Sequence, residues 1–362
     1  MKNEPRSSKA TITDVARAAA VATGTVSRVL NKHTDVNEGI RQRVLKAASD
    51  LGYVRLRQRK FPRSNSSKSH GNIAIICFGM EDTLIQIPIV SRAVQGIETA
   101  LSQEGRNLMF ANVPNGDRVP PFLTENRVEG LILKGPNQGE LPTPAMSEMI
   151  RCIYRFPHIW LMGKICGVSG DHCNFDTGIA GHLAAKHFRE FGHKHVAFFN
   201  PMPGQIQFER LKYAFFSAGL QTGLKTSLLE VDSPERLAWP LPTITLQDNV
   251  DILVDQWQRL PAEIRPTGLL VPSDRTTVQV YSALEKRGLR VGQDISVISC
   301  NNEKSMTANL SPQLTSIDVR AEAIGNRAVY QLLWRLSHPN EEHNIQILVE
   351  PALDVGDSVA SI

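Results

Sequence analysis

One short run of side chains in this sequence has the types and spacing to read a nucleic acid. Thr23, Gly24, Thr25, Ser27, Arg28 and Asn31 are all small or polar and fall within nine residues. In a major groove an arginine pairs bidentately with guanine and an asparagine with adenine, and Arg28 can equally reach a phosphate. Downstream, Arg55, Arg57, Arg59, Lys60 and Arg63 place five cations in nine residues. That is the chemistry of a segment that grips phosphates or a narrow minor groove. Catalytic chemistry has no comparable foothold. His172, His182, His187, His193 and His195 lie near one another, with Cys173 beside His172. On a helix, however, His182 and His187 sit about 140° apart and do not converge on a metal. No G-x-S-x-G, P-loop or G-x-G-x-x-G run is found. No catalytic residue, metal or cofactor is therefore expected, and the chain does not read as an enzyme.

The polar run needs a helix to present it. Val26, Val29 and Leu30 follow helical spacing and predict one from about Thr23 to Leu30. Val15, Ala16 and Ala19 predict another from about Thr13 to Ala19. Only Ala20, Val21 and Ala22 separate the two, which forces the sharp crossing of a helix-turn-helix. A third helix is expected from an Asn37 N-cap to about Leu51, closed by Gly52. Its inward stripe would be Ile40, Val44, Ala47, Ala48 and Leu51, with Arg41, Arg43 and Lys46 outward. Charge points the same way. Residues 1–63 hold 14 Lys and Arg against 5 Asp and Glu, a net +9, whereas the rest of the chain holds 26 against 31, a net −5. A basic head on an acidic body is the layout of a nucleic-acid binder with a second function.

The body alternates apolar strands with amphipathic helices. Strands are expected at 73–78, 107–111, 130–134 and 159–163, and in a second series at 195–200, 227–231, 267–272 and 295–300. Helices are expected at 88–104, 177–191, 205–218, 250–260, 274–287 and 320–336. Such alternation predicts an α/β body of two lobes with parallel sheets, and a ligand cleft beyond the carboxyl ends of the strands. Ile89, Val90, Val94 and Ile97 on the 88–104 helix are candidates for a dimer surface. With 41% hydrophobic and 21% charged residues, disorder, collagen and coiled coil are excluded. No apolar run of membrane-spanning length is present, the N-terminus lacks a secretory h-region, and the five cysteines are scattered. A cytoplasmic location is expected.

The runs TITDVARAAAVATGTVSRVLN and VNEGIRQRVLKAASDLGYV resemble the DNA-binding domain of the lac repressor (LacI/GalR) family of bacterial transcription regulators. GLRVGQDISVISCNN, with LSPQLTSID after it, and HLAAKHFREFGHKHVAFF resemble the periplasmic-binding-protein-like core of the same family. The resemblance implies a three-helix helix-turn-helix domain at 1–60, a hinge at 61–71 and a two-lobed effector-binding and dimerisation domain at 72–362. The first lobe would cover about 72–170 and 314–338, the second about 171–313 and 339–362. Thr11 and Ile12 would lie near phosphates, and Thr23 and Gly24 at the base-discriminating positions. Thr25, Ser27, Arg28, Asn31 and Tyr53 would also touch DNA. Asp176, Gln207 or Arg210, Ser273, Asp274 and Asn301 fall where the family binds its effector, with Trp160 or Trp239 as an aromatic face. The expected partners are double-stranded operator DNA, a sugar or sugar derivative and a second copy of the chain, with no membrane. A sugar-binding protein without a regulatory role is the alternative. The head departs from the family pattern in three places. Ala20 replaces the turn glycine, so either the turn adjusts or Ala20 is strained. Ala22 replaces the N-cap serine, leaving Thr23 as the alternative cap, and Gly24 offers no side chain at a reading position. In the hinge, Pro62 occupies the place of the wedge leucine.

Overall fold

The computed structural model describes residues 11–30, 36–51, 71–78, 87–113, 118–136, 141–164, 167–232 and 246–362. The chain forms two compact units, Met1–Lys68 and Ser69–Ile362.

In the first unit, α1 (Ile12–Ala18), α2 (Thr23–Leu30) and α3 (Glu38–Asp50) surround a core of Val15, Ala16, Ala19, Val26, Val29, Val44 and Ala47. A capping box opens α1: the Thr11 side chain accepts from the Asp14 amide, and Asp14 returns to the Thr11 amide at 2.9 Å. Its other end shows how the chain turns without glycine. The Ala20 amide donates to the Arg17 carbonyl and the Val21 amide to the Ala16 carbonyl, with Ala20 at φ 53°. This is a Schellman closure with an alanine in the left-handed position, so Ala20 carries the strain. Asn37 caps α3 by accepting from the Gly39 amide at 2.8 Å. Leu51 departs from the expected inward stripe and is 41% exposed. It is the C-cap residue, one past the last turn that packs on α1 and α2. Gly52 lies outside the described residues.

The second unit contains two six-stranded sheets. The strands and helices run β1 (Asn72–Phe78), α4 (Pro88–Gln103), β2 (Asn107–Val113), α5 (Pro121–Thr124), β3 (Gly130–Lys134), α6 (Glu148–Ile153), β4 (His158–Leu161) and β5 (Asp171–Phe175). They continue with α7 (Thr177–Glu190), β6 (His195–Asn200), α8 (Ile206–Thr222), β7 (Lys225–Glu230), α9 (Leu246–Arg259), β8 (Gly268–Leu270), α10 (Asp274–Glu285) and β9 (Ser296–Cys300). Last come α11 (Lys304–Thr307), β10 (Thr315–Asp318), α12 (Ala321–Ser337), β11 (Gln346–Val349) and β12 (Ala352–Asp354). The first sheet has the order β11-β5-β4-β3-β1-β2 and is wholly parallel. The second has the order β12-β10-β9-β8-β6-β7, in which β12 alone is antiparallel. Strands covered on both faces read as near-continuous apolar runs, as β1 and β3 do.

The lobe boundaries differ from those expected. Residues 171–175 belong to the first sheet, 315–318 to the second, and 346–349 return to the first. β5 escapes an apolar-run reading because Asp171, His172 and Asn174 are buried in it. Asp171 is tolerated there because Arg335, Gln331 and the Ile345 amide all donate to its carboxylate. The apolar face of α4 is also consumed within the chain. Val90 and Ile97 are buried, and α4 crosses α12 so closely that a Cβ at Gly96 or Gly325 would stand 2.0 Å from a backbone oxygen of the facing helix. Val90 and Ile97 are therefore not available as a dimer surface, whereas Ile89 and Val94 are half-buried.

Candidate functional sites

The outer face of α2 is the first site. Its inward stripe, Val26 and Val29, leaves Thr23, Gly24 and Arg28 exposed and Thr25 and Ser27 half-buried. Gly24 and Arg28 are four residues apart and share one face. Arg28 makes no hydrogen bond or ion pair with any described residue, whereas Arg17 and Arg41 pair with Asp14 and Glu38. A Cβ at Gly24 would meet nothing within 4 Å, so packing does not impose the glycine. Thr11 is exposed at the start of α1, and Ile12 packs against the head core. Asn31, Tyr53, Arg55, Arg57, Arg59 and Pro62 lie outside the described residues.

The second site is a cleft of about 150 Å³ between the lobes of the body. Strand ends supply Lys134 at the end of β3, Met162 after β4, Phe175 on β5 and Cys300 on β9. The N-terminal turns of α4, α8 and α10 close it. Its lining is largely apolar, with a few polar groups among them, the usual composition of a small-molecule site.

Of the residues expected at the effector, Gln207, Ser273 and Asn301 line this cleft; Asp176, Arg210 and Asp274 do not. Gln207 pairs amide to amide with Asn174, accepting at 3.1 Å and donating at 3.2 Å, and donates to the Met162 carbonyl at 2.6 Å. It thereby joins α8 of the second lobe to β4 and β5 of the first. Arg210 instead donates to the Lys164 carbonyl at 3.1 Å. Ser273 is the N-cap of α10, accepting from the Thr276 amide at 3.3 Å. Asn301 leaves β9 at φ 114° and Asn302 follows at φ 55°, conformations that asparagine tolerates better than most side chains. Asp274 is fully buried. Its carboxylate accepts from the Glu303 amide and from the Ser316 hydroxyl at 2.8 Å. Burial raises its pKa against the pull of those donors. Asp176 caps α7 by accepting from the Ile179 amide at 3.1 Å. Trp160 packs on the opposite side of the first sheet, 1% exposed, and its indole donates to the Ser169 carbonyl at 2.8 Å. Trp239 is outside the described residues. Among the described residues no group of His, Cys, Asp and Glu could hold a metal ion.

The cleft also holds three charged residues that residue spacing did not bring forward: Lys134, Arg275 and Glu303. Lys134 could have been found, because a charge closing an apolar strand (GLILK) points beyond the carboxyl end of a parallel sheet. Its ammonium donates to the Gly135 carbonyl at 2.7 Å, and burial lowers its pKa to about 8. Glu303 accepts from the Ile89 amide at 2.8 Å, a further bond between the lobes. Burial raises its carboxyl above the ordinary range.

Comparison with known proteins agrees with this architecture. A model of bacterial regulatory proteins of the lacI family matches residues 11–55, and a periplasmic binding protein-like domain matches 185–359. The chain belongs to the LacI family of bacterial transcription regulators. This is a family of repressors rather than enzymes. Its relatives include the HTH-type transcriptional repressor PurR of Aliivibrio fischeri, 27% identical over 93% of this chain and 94% of that protein. The ribose operon repressor of Haemophilus influenzae is 25% identical over 98% and 99%. Among solved structures, a transcriptional regulator CelR–cellobiose complex superposes with a TM-score of 0.64, at 20% identity over 96% of this chain and 99% of that one. The lac repressor dimer bound to operator and the anti-inducer ONPF gives 0.62, at 20% identity over 98% and 100%. No helix among the described residues is long and apolar enough to cross a membrane.

Proposed function

We propose that this family member is a sequence-specific repressor that acts as a homodimer on a pseudopalindromic operator, and that a small molecule in the interlobe cleft sets its operator affinity. The observation that carries the reading is the outer face of α2. Its arginine is left unengaged by the described residues, and a glycine beside it is required by no packing. An exposed helical glycine costs about 0.5–1 kcal/mol relative to alanine. A close approach by another molecule gives the fold a reason to keep it. The Lys and Arg of residues 1–63 would release counterions from the duplex and provide a grip that falls with salt. Thr23, Gly24, Thr25, Ser27, Arg28 and Asn31 would select bases, with Thr11, Ile12, Tyr53, Arg55, Arg57 and Arg59 positioning the head on the backbone and minor groove.

The body supplies the control. The Gln207–Asn174 and Glu303–Ile89 bonds join one lobe to the other at the cleft. A ligand that competes with or completes those bonds prefers one lobe arrangement. That difference in affinity is what shifts the operator equilibrium. Gln207, Ser273 and Asn301 are the effector contacts in this reading. Cellobiose and ribose in the names of relatives place sugars first in a ligand screen.

The test is selection of the full chain against a randomised duplex pool, followed by anisotropy titrations at several salt concentrations. Enrichment of an inverted repeat, with affinity modulated by at least one small molecule, is expected. Equal, weak attachment to every duplex, with or without small molecules, would overturn the proposal. Saturable sugar binding without any operator would favour a sugar-binding protein with no regulatory role.

A further inference from the structure

We propose that Glu303 is a positioning residue of the repressor: it caps α4 from the opposite lobe, and that cap sets the lobe arrangement on which operator affinity depends. The inference rests on the reading that the lobes control operator affinity. A helix leaves its first amides without acceptors of its own. At the start of α4, Pro88 has no N–H to satisfy, and the Val90 and Ser91 amides both donate to the Ile87 carbonyl, at 2.9 and 3.1 Å. Ile87 offers no side-chain cap. That leaves the Ile89 amide. Its acceptor is the Glu303 carboxylate at 2.8 Å, 214 residues further along the chain and on the second lobe.

The second lobe holds Glu303 firmly. Its amide donates to the Asp274 carboxylate, which also accepts from the Ser316 hydroxyl at 2.8 Å, and the Asn302 amide donates to that hydroxyl at 3.1 Å. One turn along α4, Arg92 adds two contacts to the same region. Its guanidinium donates to the Asn302 carbonyl at 3.3 Å and stands 3.6 Å from the Asp318 carboxylate. Glu303 is 2% exposed, so its bond to Ile89 is shielded from water, where a bond to a charged acceptor is strongest. On the first lobe, α4 has no room to slide at its start, because its backbone meets that of α12 at Gly96 and Gly325. A displacement of Ile89 is therefore passed to α12 rather than absorbed. Ile87, Ile89, Val90 and Glu303 all line the cleft. The cap thus stands where an occupant bearing a hydroxyl or an N–H competes with Ile89 for the same carboxylate.

Amide hydrogen exchange of the full-length protein reads the cap directly and needs no ligand. Glu303→Gln keeps an oxygen that can accept from Ile89, whereas Glu303→Ala does not. In Glu303→Ala the Ile89 amide is expected to exchange about tenfold or more faster, with the gain confined to the first two turns of α4; in Glu303→Gln it should stay within about threefold of the wild type. Affinity for the duplex enriched by selection should change about fivefold or more in Glu303→Ala and stay within about twofold in Glu303→Gln. Arg92→Ala removes the two other contacts and leaves Glu303 in place. It should move both readouts in the same direction by a smaller factor, and it keeps the test decisive if Glu303→Ala does not fold. The proposal falls if Ile89 exchanges alike in the wild type and Glu303→Ala, or alike in the Ala and Gln variants. Exchange that rises throughout both sheets would mark a merely structural carboxylate and overturns the positioning role. Faster exchange confined to α4 with unchanged operator affinity overturns the link to the operator. If selection enriches no duplex, the underlying reading falls by itself, and exchange alone still decides the cap.

Discussion

The outer face of α2 and the polar groups of the interlobe cleft hold their side chains in opposite ways. On α2, Thr23, Gly24 and Arg28 are exposed, and Arg28 makes no hydrogen bond or ion pair with any described residue. In the cleft most polar groups are already bonded: Gln207 to Asn174 and Met162, Glu303 to Ile89, Ser273 to Thr276. A rigid polymer that must be matched in register is best met by a preset helix with free side chains. A ligand that must shift an equilibrium between lobe arrangements needs bonds to exchange, and only a difference in those bonds can do the shifting.

The contrast can be broken most strongly at Arg28. Arg28→Ala should lower specific operator affinity by about 10- to 100-fold, the worth of a bidentate base contact, and leave melting and ligand binding unchanged. Loss of both functions together, in anisotropy and calorimetry, would show that the two surfaces are not separate. Gln207→Ala tests the opposite behaviour. It strips the buried Asn174 amide of its partner, so the body should lose about 1–3 kcal/mol by urea unfolding. It should also change the ligand response while the head still binds DNA.

Asp274→Asn probes the buried carboxylate behind the cleft. The folded-state pKa of Asp274 is raised, chiefly by burial, so the folded body takes up the proton first on acidification. Its contribution is therefore fullest at low pH and is lost as pH rises from the ordinary aspartate value through the raised one. Stability of the wild type relative to Asp274→Asn should decline over that window when unfolding is followed against pH; a flat difference would contradict the raised value. The smallest effect belongs to the turn of the head. Ala20→Gly should stabilise it by about 0.5–1 kcal/mol, because glycine adopts φ 53° without steric cost. The body's melting should not move, a separation visible by calorimetry.

How much of this was legible in the sequence depended on whether the pattern was local. β1, β3 and β6 announce themselves as apolar runs, and α2 by its three- and four-residue spacing. β5 does not, because the partners that make Asp171 tolerable lie 160 to 174 residues away. The lobe boundaries moved with it. At the cleft, counting back along α8 separates Gln207 from Arg210 only if no gap intervenes, and only the fold decides. Ser273 and Asp274 are neighbours pointing to opposite fates, one an N-cap lining the cleft and the other buried behind it. No pattern of residue types distinguishes them.

The chain passes between the lobes three times, after β5, after β10 and after β11. Asp176 stands at the first passage, Arg320 with its φ of 55° at the second and Pro351 at the third. Each passage is a single covalent thread, so the lobes are tied to each other at three places along the chain rather than at one. A molecule wedged between them would pull on all three threads at once.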